Sequence, residues 1–95
     1  MQVEYTRSYK SSAKKLKKNN KDLITKIEES EKILREDHTD TRINFKPMTC
    51  KKNKTMHSIR VINTQYRILF TLYENIAELR CVCDHDEYDR RNKNC

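Results

Sequence analysis

From Met56 onward the chain carries short runs with a two-residue apolar period, whereas between Tyr9 and Leu34 its apolar residues recur at three- and four-residue intervals. That change of period restricts the chain to helices first and a sheet second. His57–Val61, Tyr66–Phe70 and Leu79–Cys83 alternate apolar with polar side chains, joined through the short connectors Asn63-Thr64-Gln65 and Glu74-Asn75. The pattern predicts an antiparallel meander. At the other end Val3 and Tyr5, between Gln2 and Glu4, alternate in the same way and predict one more strand.

Between these segments Tyr9, Ala13 and Leu16 recur at i, i+4 and i+7 with lysines among them, an amphipathic helix ending at Asn19-Asn20. A second helix is predicted from about Asp22 to Arg35. Ile24, Ile27, Glu31 and Leu34 fall on one stripe with Leu23 beside it, and Glu28/Lys32 and Glu31/Arg35 form favourable i,i+4 pairs. Arg42–Lys46 reads as extended ahead of Pro47. The order is therefore β-α-α-β-β-β, an α+β fold. A helical hairpin covers one sheet face, burying Ile59, Val61, Ile68, Phe70 and Leu72 against Ile24, Ile27 and Leu34, while the other face stays open. The chain contains 0 glycines, so positive-φ turn positions fall to asparagine, with Asn63 and Asn75 the candidates.

Ninety-five residues at 35% hydrophobic content suffice for a single domain, 1–95, with one modest core. Lys and Arg outnumber Asp and Glu by 21 to 14, and the resulting +7 makes a polyanion the natural partner, against the alternative of a merely solvated helix face. Lys14, Lys15, Lys17, Lys18 and Lys21 crowd the first helix, and Lys46, Lys51, Lys52 and Lys54 precede the meander. The densest apolar run, Ile68–Tyr73, is far too short to span a bilayer, and Met1–Tyr5 lacks an apolar leader, so no membrane partner and a cytoplasmic location are expected. Cys81-x-Cys83-x-His85 crowds potential ligands, but no second Cys/His pair matches its spacing. Buried thiols acting as small apolar residues account better for Cys81 and Cys83 than a metal does.

Arginines alternate with apolar residues in Ile59-Arg60-Val61 and Tyr66-Arg67-Ile68-Leu69-Phe70, and His85-Asp86-Glu87-Tyr88 follows the last strand. This ordered set resembles the RelE/ParE superfamily of bacterial toxin–antitoxin toxins over nearly the whole chain. The resemblance implies a helical hairpin packed on a curved antiparallel sheet. It also implies a toxin that cuts messenger RNA, usually on the ribosome, and is silenced by a cognate antitoxin. The family's roles carry over to Arg60 and Arg67 as phosphate-binding positions, His85 as general acid or base, and Tyr88 as the position near the attacking hydroxyl. His57, Lys52 and Lys54 are candidates for a second acid–base group, and Lys14, Lys17, Lys18, Lys52 and Lys54 for RNA contact. The ParE branch, similar in fold, is implied to poison DNA gyrase; a non-catalytic binding module is the third possibility.

Such chemistry needs no cofactor, because the neighbouring 2′-OH of RNA is itself the nucleophile. A histidine changes charge near neutral pH and suits proton transfer in either direction, with Asp84 or Asp86 placed to orient its ring. Arginine's planar fork matches phosphate oxygens. Strand parity raises one difficulty. Leu79, Cys81, Cys83 and His85 share a face if the last strand is regular, which sends His85 to the side of Leu79 unless a bulge or strand end re-aims it.

Overall fold

The computed structural model describes residues 1–18, 20–49 and 55–93, with Lys17 described as backbone only. Lys52, Lys54 and the Lys17 side chain, three of the RNA-contact candidates, therefore lie outside the described residues. The elements are β1 (Gln2–Tyr5), α1 (Arg7–Lys17), α2 (Lys21–Glu36), a 3-10 turn (Thr41–Ile43), β2 (Lys46–Pro47), β3 (Met56–Arg60), β4 (Arg67–Tyr73), β5 (Ile76–Cys83) and α3 (His85–Lys93).

The five strands form one sheet in the order β1-β5-β4-β3-β2. The meander is antiparallel, as the alternation predicts, while β1 runs parallel to β5 from Gln2↔Ile76 to Tyr5↔Leu79 and makes the sheet mixed. Where β1 ends, α1 takes over the edge of β5. Thr6 Oγ1 donates to the Leu79 carbonyl (2.6 Å), Ser8 Oγ donates to the Arg80 carbonyl (2.9 Å), and Val82 N donates to Ser12 Oγ (3.0 Å). Ser8 and Ser12 are one helical turn apart, so a single helix face supplies hydroxyls to backbone groups that a further strand would otherwise satisfy. Thr6 also caps α1 by accepting from Tyr9 N, and Asn20 caps α2 by accepting from Leu23 N.

Both long helices pack on the same sheet face. Tyr9, Ala13, Leu23, Ile27, Ile33 and Leu34 meet Ile59, Val61, Ile68, Phe70, Leu79 and Val82 there. The buried residues of α2 are Leu23, Ile27, Ser30, Glu31, Ile33 and Leu34, so Ile27, Glu31 and Leu34 hold the expected stripe while Ile24 is half-buried at its margin. Glu31 forms no ion pair with Arg35. Its carboxylate, 9% exposed, accepts from the hydroxyls of Tyr9 and Tyr5, and Arg35 Nη1 donates to Tyr5 Oη (2.7 Å). A carboxylate on an apolar stripe is tolerable because phenols on α1 and β1 reach it.

Three expectations for local structure change. Arg42 and Ile43 belong to the 3-10 turn, because Asp40 Oδ1 accepts from Arg42 N (2.9 Å) and closes it, and Asn44 leaves it at φ 43°. The positive-φ positions are Asn44, Asn63 and Glu74; the two-residue β4–β5 loop places its left-handed residue first, at Glu74 and not at Asn75. Finally, the segment after β5 is a helix. Asp84 Oδ1 accepts from Glu87 N (2.8 Å), acidic Asp86 and Glu87 occupy the first turn, and Arg90, Arg91 and Lys93 the last, in accord with the helix dipole.

Burial and the adjacent Glu31 carboxylate push the Tyr9 phenol well above its ordinary value. A folded-state pKa above the unfolded value near 10 gives stability that is complete below about pH 10 and lost as the pH rises beyond it. Denaturant titrations should therefore show Tyr9→Phe less stable at pH 7 by about 1–3 kcal/mol, with the gap from wild type narrowing above about pH 10.

Candidate active site

Strand alternation assigns side chains to the face away from α1 and α2. Arg60 and Arg67 are register partners across β3 and β4 and project there together, with Ser58 two residues before Arg60. On β5 the register slips: Leu69 pairs with Cys81 and Phe70 with Leu79, leaving Arg80 as an extra residue. This bulge reverses the strand's phase. Leu79 packs in the helix-side core, whereas Cys81 and Cys83 sit on the opposite face with Met48, Met56, Leu69 and Tyr88. The chain then leaves β5 directly into α3, which lies over that small second cluster.

The bulge and the helix start together bring His85 to the face of the arginines. Lys46, Arg60, Thr64, Gln65, Arg67, His85, Tyr88 and Asp89 line one solvent-open cavity of about 430 Å³. Arg67 is its deepest charge, 4% exposed. Its Nε and Nη2 donate to Ser58 Oγ (3.2 and 3.0 Å), Nη2 also donates to the Asn44 carbonyl (3.2 Å), and its guanidinium lies 4.9 Å from the centre of the Tyr88 ring. Ser58 Oγ in turn reaches Tyr88 Oη (3.5 Å), and Lys46 Nζ stands 5.7 Å from the same ring. Among the described residues no carboxylate pairs with Arg67; every partner is neutral. Burial lowers the Arg67 pKa, with Tyr88 opposing and Arg60 adding to the effect, yet a guanidinium remains charged.

His85 is the first residue of α3, and its Nε2 lies 3.3 Å from Asp89 Oδ2, one turn along. Asp89, and not Asp84 or Asp86, is therefore the carboxylate that meets the ring; Asp84 is committed as the helix cap. Arg60 is exposed and makes no ion pair or hydrogen bond within the described residues. Arg80, by contrast, is engaged by Thr71 and Glu78 away from the cavity.

The structure thus brings Arg60, Arg67, His85 and Tyr88 together. It does not bring His57 with them. His57 pairs in register with Phe70 on the helix-side face, its ring 5.5 Å from Phe45 and 6.0 Å from Phe70, and its Nδ1 lies 2.9 Å from the Thr55 carbonyl. Its parity with Ile59 and opposite to Arg60 is the sequence signal for that placement. Lys14 and Lys18 are exposed on α1 and do not line the cavity. Lys46, Ser58, Asn44 and Asp89 are the site residues the sequence reading missed. Parity with Arg60 marks Ser58, and the i,i+4 spacing to His85 marks Asp89.

Cys81 and Cys83 are free thiols. Among the described residues no group of three or more His, Cys, Asp or Glu side chains is arranged to hold a metal ion. No helix of the described residues is long and apolar enough to cross a membrane.

No protein-family model matches the sequence, and no curated protein does so significantly. Solved structures do match the fold. The E. coli DinJ–YafQ complex contains a chain with TM-score 0.73 and 15% identity, covering 90% of this chain and 93% of that one. The YoeB dimer from Staphylococcus aureus matches with TM-score 0.68 and 15% identity over 88% and 94%. A YoeB/ParE toxin from Agrobacterium tumefaciens matches with TM-score 0.69 and 12% identity over 90% and 99%.

A buried guanidinium with only neutral partners should bind an oxyanion. Phosphate at ten times its dissociation constant is expected to stabilise the wild type by about 1.4 kcal/mol. Thermal melts of Arg67→Met should show no phosphate-dependent shift, while Arg80→Met keeps it. The backbone match and the ordering of elements agree: this chain has the fold of the YafQ and YoeB chains in these structures.

Proposed function

We propose that this protein is the toxin of a toxin–antitoxin pair and an endoribonuclease that cleaves messenger RNA at the ribosome. The observation that carries the reading is Arg67: a desolvated cation, held by neutral groups, opening onto a cavity that also holds an imidazole and a phenol. A buried positive charge without a counterion is suited to an incoming negative one. The structural relatives named YafQ and YoeB occur in complexes with DinJ and YefM, which supports an antitoxin as the partner here.

In the proposed reaction the 2′ oxygen of one nucleotide forms a bond to the adjacent phosphorus while the bond to the 5′ oxygen breaks. The 2′ hydroxyl gives up its proton, the leaving 5′ oxygen gains one, and the products are a 2′,3′-cyclic phosphate and a 5′ hydroxyl. Because the nucleophile comes from the substrate, the step needs no metal or organic cofactor. Arg67 neutralises the charge that develops on the phosphoryl oxygens, and Arg60, at the cavity's wall, adds to the field that holds the RNA backbone. His85, steadied by Asp89, transfers a proton, and Tyr88 lies against the attacking sugar. Lys14 and Lys18 on α1 contact ribosomal RNA as point charges outside the cavity, a contribution that weakens as salt rises. A cytoplasmic location accords with this partner.

Expression of the wild type should arrest growth and leave discrete cuts in messenger RNA by primer extension. Arg67→Met should slow cleavage about 10²–10³-fold, and His85→Ala about 10²–10⁴-fold, with unchanged thermal unfolding of His85→Ala. Growth arrest with intact RNA and inhibited DNA supercoiling would instead identify a gyrase inhibitor. Full toxicity from both variants would eliminate the proposed site.

A further inference from the structure

The connector between β3 and β4 borders two cavities. One is the Arg67 cavity; the other, about 450 Å³, is lined by Thr41, Arg42, Arg60, Asn63, Thr64 and Gln65. Arg60, Thr64 and Gln65 belong to both, so the two spaces adjoin along one shared wall. Each volume lies within the range of about 300–1,000 Å³ typical of small-ligand clefts.

The groups along this second cavity differ in availability. Arg42 is committed to Asp40 through Nε (3.1 Å) and Nη2 (2.8 Å), and the Thr64 hydroxyl donates to the Val61 carbonyl (2.8 Å) while accepting from Tyr66 N (3.1 Å). Arg60 and the side-chain amides of Asn63 and Gln65 are exposed and make no hydrogen bond within the described residues. The loop that carries them is braced: Val61 N donates to the Tyr66 carbonyl (2.9 Å), and Ile62 N to Ser30 Oγ on α2 (2.9 Å). At Asn63 the backbone turns left-handed, φ 55°. One free cation thus stands on the shared wall, followed by two free amides on a loop tied to the core.

We propose that this second cavity is a nucleotide subsite, in which Arg60 takes the phosphate next to the cleaved one and Asn63 and Gln65 read the neighbouring base. The inference rests on the RNA-cleaving reading of the Arg67 cavity. A single strand presents one phosphate per nucleotide, so a strand with its reacting phosphate at Arg67 carries the next phosphate past Arg60 and the next base into the adjoining space. Amides offer a donor beside an acceptor, and a base edge of complementary order satisfies both at once. Adenine presents an amino donor next to a ring-nitrogen acceptor on both its Watson–Crick and its Hoogsteen edge, where cytosine does so on one, and is the base this pair of amides suits best.

The test uses the variant Asn63→Gly, in which glycine preserves the left-handed turn. Two readouts are paired: cleavage of RNA randomised around the cut, both free and on translating ribosomes, and binding of labelled 2′-O-methyl trinucleotides that cannot react. Wild type should favour adenine about tenfold at one flanking position in both readouts. The Asn63→Gly variant should lose that preference while cutting other sequences within a few-fold of wild type and retaining the phosphate-dependent thermal shift. An adenine preference unchanged in the variant, an equal fall for all sequences, or no preference in wild type would overturn the subsite. If wild type cuts no RNA, the nuclease reading fails, and the binding arm alone decides: adenine-selective binding lost in the variant upholds the subsite, and equal affinity for every base rejects it.

Discussion

Arg67 is a charge taken out of water without an opposite charge beside it, and the architecture of the open sheet face follows from keeping it there. Burying an ion without a counterion costs several kcal/mol unless its donors are satisfied. Here they are satisfied by a serine on the neighbouring strand, a carbonyl presented by a left-handed asparagine, and the face of a tyrosine ring. Each acceptor comes from a different element. A carboxylate in any of these places would steady the fold more directly and would also cancel the local potential. The use of neutral partners leaves the field of the cation directed into the cavity.

The second element of the arrangement is the irregularity at Arg80. A regular β5 would carry Cys81 and Cys83 onto the helix-side core and launch the following residues from the wrong phase. With one unpaired residue the strand serves both faces in turn: Leu79 and Val82 belong to the main core, Cys81 and Cys83 to the small cluster beneath α3. The tyrosine that stacks on Arg67 and the histidine at the cavity's rim ride on the same short helix. The sulfur-rich patch below it fills irregular space without placing another charge near the guanidinium.

Much of this was legible in the residues. Alternation located β3, β4 and the second half of β5, and helical spacing located α1 and α2, because in each case one face meets a single apolar layer. The resemblance names Arg60, Arg67, His85 and Tyr88, and strand parity makes their meeting conditional on a bulge or strand end, which leaves no mark in local composition. The pairing of β1 with β5 is equally a long-range fact, joining residues more than seventy positions apart. Some misses had signals available. Asp84 with Glu87 three residues on, followed by basic residues at Arg90 and Arg91, is a helix-start pattern that the expected order β-α-α-β-β-β omits. His57 was drawn toward the site by its chemistry although its parity with Ile59 placed it among Phe45 and Phe70. Glu31 was placed on the apolar stripe correctly, but its tyrosine partners lie on other elements.

The bulge also bears on how such a chain can change over time. Between Leu79 and Asp84 the number of residues sets which way everything downstream faces, so dropping or adding one there would turn the final helix away from the arginines. Replacing a side chain in the same stretch leaves that geometry intact. Along β5 the number of residues therefore matters to the cavity in a way that the identity of most of them does not.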